Sequence, residues 1–397
     1  MATFTLRRFS CPETLKAIAP VRFLAFLKPH RRFFLSRGVT LPQSATDGEL
    51  DYEELARVFI TPDGETPKEL IDALYFVDEM ATPEGMDALL AEAKQQKLKL
   101  AAGSDHSPAD IAIQIWLLNS DILERKHAQH CMAKVRSFEY YQMDRFRRPA
   151  FTRPSDKQLK ALASDLDDWF EEKKRGRGTR IVMGEKDDGV WFLVRHGDPY
   201  KREESIDGGM TSSVYYRPVK PDVVVYSPQV GELRINARSK GEKELYRTKF
   251  GEHLFGDKNI FPGTEKYTLD PLRALGEDSL ALGDIDGIEW IKLREVQFFF
   301  GGNPWEIVTR KSEDVFAMFK SRNKSFPEGG RIIRATFQVK FSDAKTPRAV
   351  VIKPSNIAQF TRDDDSVLVE RWLEARGFII NAGVEESDEP ETLLASS

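Results

Sequence analysis

The first 140 residues carry apolar side chains at the three- and four-residue spacing of amphipathic helices. Leu55, Val58 and Phe59 mark one such helix within residues 50–60. Aromatic and aliphatic residues are dense enough between residues 23 and 35 to predict a folded helix pair, although the arginine-rich composition of residues 5–38 would also suit a transit peptide. This part of the chain is therefore expected to fold as an array of helices.

Three Ser-Pro or Thr-Pro pairs predict the starts of three successive helices, because a hydroxyl N-cap followed by proline is a helix-opening signal. Thr66 is expected to form a capping box with Glu69, and Thr82 and Ser107 are expected to cap the next two helices. A long fourth helix should follow. The four predicted ranges are 67–80, 83–97, 108–119 and about 122–141.

The helical spacing is interrupted near residue 145. Arginine and proline are frequent in RFRRPAFTRP over residues 145–154, and Ser155 then opens a charged helix that should run to about Lys174. Gly176 and Gly178 end this helix. Its apolar stripe consists of Leu159, Leu162, Leu166, Trp169 and Phe170.

Alternating residues and turn signals replace the helical spacing after Gly178. From Ile333 to Phe341 every second residue is apolar, as in a strand with one buried face. A helix to Arg376, ended by Gly377, should follow the last strand. The predicted strands cover residues 180–185, 190–196, 214–216, 223–226, 232–236, 288–300, 331–341 and 349–352.

Together these elements predict an α+β protein with an amino-terminal helical domain and a mainly antiparallel, β-rich carboxyl-terminal half. We divide the chain by its changes in composition and periodicity. The predicted parts are a helical domain at 1–150, a charged linking helix and basic loop at 151–178, a β-rich lobe at 179–265, an α+β lobe ending in a helix at 266–381, and a disordered acidic tail at 382–397.

Composition agrees with a globular protein of more than one domain. The 397 residues are 41% hydrophobic and include 26 phenylalanines, which is enough for sizeable cores. The two cysteines, Cys11 and Cys131, exclude a disulfide framework and fit a reducing compartment. No apolar stretch reaches the roughly 18 residues of a membrane span, so a cytoplasmic protein is expected.

The charges are strongly segregated along the chain, although their sum is only −4. Residues 1–44 hold eight basic residues and one acidic residue, and we call them the first basic band. Residues 45–124, the acidic band, hold five basic and eighteen acidic residues, and residues 125–180, the second basic band, hold fifteen basic and eight acidic ones. Segregation of this kind is informative about partners rather than about fold.

One short segment resembles the start of the histidine phosphatase signature. Residues 192–197, FLVRHG, place Arg195 and His196 at the end of a strand, where that family holds a phosphate ligand and its phosphorylated nucleophile. The family also requires a second histidine late in an α/β domain. Only His253 follows here, among predicted antiparallel hairpins, so an ordinary strand end is the favoured interpretation.

A second segment is similar to the metal site of PD-(D/E)xK nucleases. Asp222 and Glu232 stand on successive predicted strands, as the two metal-binding carboxylates of that family do. The family's lysine is replaced by Arg234, which does not readily give up a proton, and Lys240 is the nearest substitute. A magnesium-dependent nuclease is therefore the alternative function, and a turn with an exposed Glu232 is the competing interpretation.

Glu124, His127, His130 and Cys131 lie within two helical turns, and residues 105–106 would add two further ligand types. Glu-x-x-His is the spacing of di-iron bundles, which need a second copy that this sequence lacks. The sequence also has no P-loop, dinucleotide-binding or serine-hydrolase motif. We therefore expect no catalytic residue, metal site or cofactor.

Cations and aromatic residues of the second basic band fit contact with nucleic acid, because phosphates attract cations and bases stack on rings. Phe146 and Phe151 interleave with the first arginines. The competing interpretation is that these cations are solvated or pair with the acidic band. The candidate nucleic-acid-binding residues are Arg145, Arg147, Arg148, Arg153, Lys173, Lys174, Arg175, Arg177 and Arg180.

The expected function is that of a cytoplasmic, non-catalytic binding or regulatory protein. Basic segments at 145–180 would contact nucleic acid, and the acidic helical array would contact a protein partner. The third hypothesis is a structural subunit of a larger protein assembly. The sequence leaves the oligomeric state open, and no membrane association is expected.

Overall fold

An array of helices precedes a large antiparallel sheet, which confirms the predicted α+β fold in this computed structural model. The structure describes residues 6–101, 106–144, 146–207, 209–283, 285–362 and 365–380. The chain forms two units. The amino-terminal unit comprises Met1–Ala133, Glu171–Arg177 and His196–Lys220, and the carboxyl-terminal unit comprises Lys134–Phe170, Gly178–Arg195 and Pro221–Ser397.

The helices of the amino-terminal unit bury the apolar residues that the spacing predicted. Leu55 and Phe59 lie in one core with Phe23 and Phe34 of the predicted helix pair. Several pairs of rings in this core meet edge to face, for example Phe34 and Phe59 with centroids 6.1 Å apart. The helices are α1 (Pro12–Lys16), α2 (Pro20–Leu27), α3 (Arg31–Ser36), α4 (Tyr52–Ile60), α5 (Lys68–Met80), α6 (Pro83–Gln95), α7 (Pro108–Leu118) and α8 (Ser120–Ala133).

Two of the three predicted N-caps are confirmed. Thr82 accepts the Gly85 N–H at 2.9 Å, and Ser107 accepts the Asp110 N–H at 3.1 Å. The capping box predicted at Thr66 is wrong, because Pro67 occupies the N-cap position with an extended ψ of 129°. The Thr66 hydroxyl instead accepts the N–H of Asp63 in a local turn.

A buried carboxylate on α7 joins the acidic band to the first basic band. Asp110 is 1% exposed, and Arg22 binds it through two hydrogen bonds of 2.8 and 2.7 Å. The Ala19 N–H and the Gln114 amide also donate to it. Burial alone would raise the pKa of Asp110, but these donors outweigh it and hold the pKa below its usual value.

Further pairs join the same two bands. The carboxylate of Asp78 is buried and accepts the N–H groups of Arg8 and Phe9 at 2.8 and 3.0 Å. Arg37 binds Asp63 at 2.6 Å nearer the surface. Part of the charge of the first basic band and of the acidic band is therefore used in pairs inside the amino-terminal unit.

The amino-terminal unit also contains a separate two-stranded ribbon. It consists of β4 (Lys201–Asp207) and β5 (Met210–Tyr216), which pair antiparallel from Lys201–Tyr216 to Asp207–Met210. The sequence predicted only residues 214–216 of this ribbon, because its remaining residues are mostly polar or charged on both faces.

The other strands belong to one ten-stranded sheet, in the order β2-β3-β6-β7-β1-β12-β11-β10-β8-β9. Strands of both predicted lobes share this sheet, and β1 joins it from within the predicted helical domain at 1–150. The strands are β1 (Ser137–Gln142), β2 (Arg180–Lys186), β3 (Gly189–Gly197), β6 (Val219–Ser227), β7 (Glu232–Asn236), β8 (Ile288–Phe300), β9 (Glu306–Lys311), β10 (Arg331–Phe341), β11 (Arg348–Lys353) and β12 (Ile357–Gln359).

The helix predicted to run to residue 141 is wrong in its last part. It ends at Ala133, and β1 follows with Phe138, Tyr140 and Tyr141, residue types that favour strands. Strand β1 pairs antiparallel with β7 on one side and with β12 on the other. Backbone pairing on both sides overrides the helical continuation that the local spacing suggested.

Two helices cover one face of the first half of the sheet. The predicted charged helix is present as α9 (Asp156–Glu172), and α10 (Lys240–Phe255) was not predicted. Their apolar residues pack against β1, β3, β6 and β7 in a core that includes Phe170, Phe192, Tyr226 and Phe250.

Shorter helices complete the carboxyl-terminal unit. They are α11 (Pro271–Ala274), α12 (Val315–Ser321) and α13 (Ser366–Ala375). The ring of Trp372 on α13 packs on Phe337 of β10 at 5.0 Å. The predicted acidic tail at 382–397 lies outside the described residues. In the part of the chain that the structure describes, every helix is too short or too polar to cross a membrane.

The opposite face of the sheet buries charged side chains, which we call the buried ion cluster: Glu232, Arg234, Lys266, Arg362 and Glu370. Glu232 is 1% exposed and binds Lys266 at 2.7 Å and Arg234 at 3.1 Å. Arg362 binds Glu370 at 2.7 Å. Burial alone would raise the pKa of Glu370, but the cations of the cluster outweigh it and lower that pKa.

Replacing Asp110 with asparagine should destabilise the amino-terminal unit by about 2–3 kcal/mol at pH 7, because Arg22 loses its charged partner. A depressed carboxyl pKa adds stability above the unfolded value of about 4 and loses it as the pH falls further. The difference from the wild type should therefore shrink below about pH 4. Thermal unfolding followed by circular dichroism measures the loss of stability at pH 7 and its decrease at low pH. The exposed Asp87→Asn is the control.

Glu232→Gln should cost about 3–5 kcal/mol, because it leaves Lys266 and Arg234 buried beside a neutral side chain. Adding Lys266→Met should recover part of this loss, since one buried charge is then removed as well. Urea unfolding gives both values. The exposed Glu306→Gln on β9 serves as the control, and an equally small effect at Glu232 would contradict the importance of the cluster.

Candidate nucleic-acid interface

The loop over residues 143–155 leaves β1 and leads into α9. At its start Met143 is buried, and its N–H donates to the Gly231 carbonyl at 2.9 Å. The Asp144 carboxylate then accepts the Phe146 N–H at 2.9 Å, and the Asp144 carbonyl accepts the Arg147 N–H at 3.1 Å. This turn leaves the Phe146 side chain 95% exposed.

The second half of the loop is fixed by packing. The Phe151 ring lies 5.0 Å from the ring of Tyr226 and 6.2 Å from that of Phe255. Arg153 binds Glu185 of β2 at 2.6 Å, and Pro154 is buried. The sequence suggested that both phenylalanines interleave with the arginines, but the structure presents only Phe146 to solvent and uses Phe151 as an anchor.

Phe146 lines an open groove of about 580 Å³. One wall is the end of β1, where Gln142 exchanges two backbone hydrogen bonds of 3.0 Å with Gly263. Ile380 closes another side, and its N–H donates to the Lys266 carbonyl at 2.8 Å. The groove is lined by Gln142, Met143, Asp144, Phe146, Pro262, Gly263, Thr264, Glu265 and Ile380.

Two of the candidate arginines follow Phe146 directly. Arg147 and Arg148 are both exposed. Arg148 lies across Gly231, whose φ is +64°, and a Cβ at that glycine would come within 3.0 Å of the Arg148 Nε. The structure therefore combines an exposed ring, two guanidinium groups and a groove in one short stretch of chain.

The remaining candidate nucleic-acid-binding residues lie in different elements of the structure. Arg180 begins β2 and stands opposite Arg195 in the ladder with β3. The four cations of residues 173–177 belong to the amino-terminal unit, where Lys173 contacts Glu172 and Arg177 contacts Glu171. Exposed pairs of this kind are weak, so they leave these cations able to exchange partners. Arg145 lies outside the described residues.

The two carboxylates of the nuclease-like segment do not come together. Register pairs Val223 with Asn236 and Ser227 with Glu232, so Asp222 and Glu232 lie about five positions, or about 17 Å, apart along the strands. They also point to opposite faces. Asp222 accepts the Tyr246 hydroxyl of α10 at 2.9 Å, whereas Glu232 belongs to the buried ion cluster. The competing interpretation, in which Glu232 is an exposed residue beside a turn, is also wrong, because Glu232 is buried.

The histidine phosphatase resemblance finds no support in the local fold. Strand β3 carries His196 near its end, but it pairs antiparallel with β2 rather than standing in a parallel α/β sheet. The His196 Nδ1 lies 2.9 Å from the Gly197 carbonyl oxygen. His253 lies on α10, and its Nε2 is 3.0 Å from Asp165 on α9.

On α8, His127 lies among aromatic rings and Cys131 lies beside it. The His127 ring contacts the rings of Tyr75 and Phe76 at 5.4 and 5.2 Å. Cys131 is half-buried, with its Sγ 3.5 Å from the His127 Nε2. His106 of the same sequence hypothesis instead binds Asp110, and Asp105 lies outside the described residues.

Sequence reasoning missed the walls of the groove that come from residues 262–265 and 380. A Pro-Gly pair at 262–263 signals a turn, but only the long-range bridge to Gln142 makes it a wall. No model of a known protein family matches this chain, and no curated protein sequence is significantly similar to it.

Phe146→Ala should leave the thermal midpoint within about 1–2 °C of the wild type, because this ring buries almost nothing. Phe151→Ala should cost about 1–3 kcal/mol, since its ring packs on two aromatic neighbours. Differential scanning calorimetry on the full chain compares the two. A large loss at Phe146 would show that its ring is packed rather than presented to solvent.

Proposed function

We propose that this protein is a non-catalytic binding or regulatory protein that contacts single-stranded nucleic acid at the groove beside Phe146. The observation that carries this proposal is the 95% exposure of Phe146 next to Arg147 and Arg148. Bases of any sequence stack on exposed aromatic rings, and cations beside such a ring attract the phosphates that accompany the bases.

The charges suggest how a strand would lie. Asp144 and Glu265 line the groove itself and would repel phosphates there. Arg147 and Arg148 follow Phe146 directly in the chain and are exposed, so they would attract the phosphate backbone. An unpaired base would therefore enter the groove against Phe146, with its phosphates outside on the arginines. A duplex keeps its bases stacked and offers no such insertion.

Fluorescence anisotropy with a labelled 12-nucleotide single strand and its duplex tests the proposal at two salt concentrations. We expect tighter binding to the single strand, with a slope of log affinity against log salt of about −0.7 per phosphate contact. Arg147→Glu/Arg148→Glu should weaken binding by at least about tenfold. Phe146→Ala should weaken binding of the single strand by about fivefold or more, because one stacked base is lost.

The matched control is Lys157→Glu/Lys160→Glu, which makes the same charge change at two exposed positions of α9. It should change the affinity by less than about twofold if binding is local to the groove. Equal losses of affinity in both double variants would show that binding depends on the net charge of the protein and not on the groove. A wild-type protein that does not bind at low salt would contradict the nucleic-acid part of the proposal.

The second part of the proposal is a protein partner at the acidic helical array. Exposed apolar side chains accompany the exposed acids on these helices, including Ile60 of α4, Leu90 of α6, and Leu117 and Leu118 of α7. Protein interfaces combine apolar contacts with complementary charge, whereas a nucleic acid would be repelled by this band. Cytoplasmic location remains part of the same proposal.

A further inference from the structure

The amino-terminal unit has an open groove of about 530 Å³ between helices α1 and α2 on one side and the segment before α4 on the other. Apolar side chains form much of its lining: Pro20, Leu24, Pro42, Leu50 and Tyr52. Three carboxylates, Glu49, Asp51 and Glu53, and one ammonium group, Lys16, also line it. The groove is therefore apolar along its walls and negative in its overall charge.

Tyr52 gives the groove a fixed aromatic surface. Its ring stacks in parallel on Phe23, with centroids 6.3 Å apart and an interplanar angle of 3°. Phe23 is fully buried in the core, so this stack holds the Tyr52 ring in place. Burial and the nearby charge of Glu49 raise the pKa of the Tyr52 hydroxyl, so the ring stays a neutral phenol at physiological pH.

The three carboxylates of the groove lining have different structural roles. Asp51 is the N-cap of α4 and accepts the Glu54 N–H at 3.0 Å. Glu49 and Glu53 are exposed residues on either side of it. Lys16, the cation of the lining, is bound to Glu13 at 2.9 Å, which offsets its charge.

A side chain that suits this lining has an aliphatic stem and a cationic head. Lysine and arginine have both, because their methylene groups cover apolar surface while the charge stays at its rim. A neutral aromatic ring and two carboxylates are favourable neighbours for such a head. We propose that this groove receives a lysine- or arginine-bearing segment of a protein partner; the proposal rests on the partner contact proposed for the acidic array.

The probe for this proposal is a fluorescein-labelled nonapeptide with four lysines, compared with the same peptide carrying four glutamines. Anisotropy titrations at about 50 mM salt use the full chain, because screening at higher salt weakens contacts of this kind. Glu49→Gln/Glu53→Gln should weaken binding of the lysine peptide by about fivefold, the loss of two exposed ion pairs. The glutamine peptide should bind much more weakly to every variant.

Glu65→Gln/Asp87→Asn is the matched control, since it removes the same charge from two exposed positions of the acidic band outside the groove. Less than about twofold loss in this control, with the larger loss at Glu49 and Glu53, supports the groove. Equal losses in both pairs overturn the groove but leave a diffuse partner contact with the acidic array. No binding of the lysine peptide by the wild type overturns both.

Tyr52 provides a readout that net charge does not affect. Tyr52→Phe keeps the ring and should keep the affinity, whereas Tyr52→Leu should lower it by about threefold because the cation loses its aromatic neighbour. Thermal unfolding of both variants shows whether the Phe23 stack still supports the fold. Full affinity in a folded Tyr52→Leu protein would overturn the aromatic contact.

Discussion

The carboxyl-terminal unit depends on the pairing of one short strand, β1, on both of its edges. Its backbone joins β7 to β12 and so connects the two halves of the ten-stranded sheet. Asparagine side chains reinforce these edges, since Asn236 donates to the Ser137 carbonyl and Asn356 donates to the Tyr140 carbonyl. The strand also separates two environments: Tyr141 lies in the aromatic core under α9 and α10, and Tyr140 lies against the buried ion cluster. Its end determines where the loop with Phe146 begins.

Charge serves two different purposes in this protein. Buried carboxylates such as Asp110, Asp78 and Glu232 are each bound by several donors, because a buried charge without partners would be far too costly. These groups connect segments that are distant in sequence and are not available to partners. Exposed charges accompany the two grooves instead: Arg147 and Arg148 follow Phe146 in the chain, and Glu49 and Glu53 flank Tyr52. The overall charge of −4 conceals this division.

Elements with local signals could be predicted from the sequence, and elements that depend on distant pairing could not. The N-caps at Thr82 and Ser107 and the alternation of β10 are local, and all were predicted. Helix α10 was not predicted although it too had local signals: Ser239 and Glu242 form a capping box, and Gly256 ends the helix in a left-handed conformation.

Strand β1 contains residue types that favour strands, but no Gly or Pro separates SFEYYQ from the preceding helix. Its pairing with β7 and β12 decides that it is a strand. The candidate site likewise has features that the sequence predicts and features that depend on tertiary contacts. Its arginines and Phe146 could be identified from composition. The exposure of Phe146, the anchoring of Phe151 and the distant walls of the groove follow from tertiary contacts alone.

The order in which the strands are synthesised determines when each edge of β1 can be paired. The ribosome delivers Tyr140 long before Asn356, its partner 216 residues later, so β1 keeps an open edge while most of the chain emerges. The amino-terminal core, complete by Leu123, can form well before that edge is closed. The groove beside Phe146 is finished only when Ile380 arrives, so a prematurely terminated chain would carry a formed helical array without a complete groove.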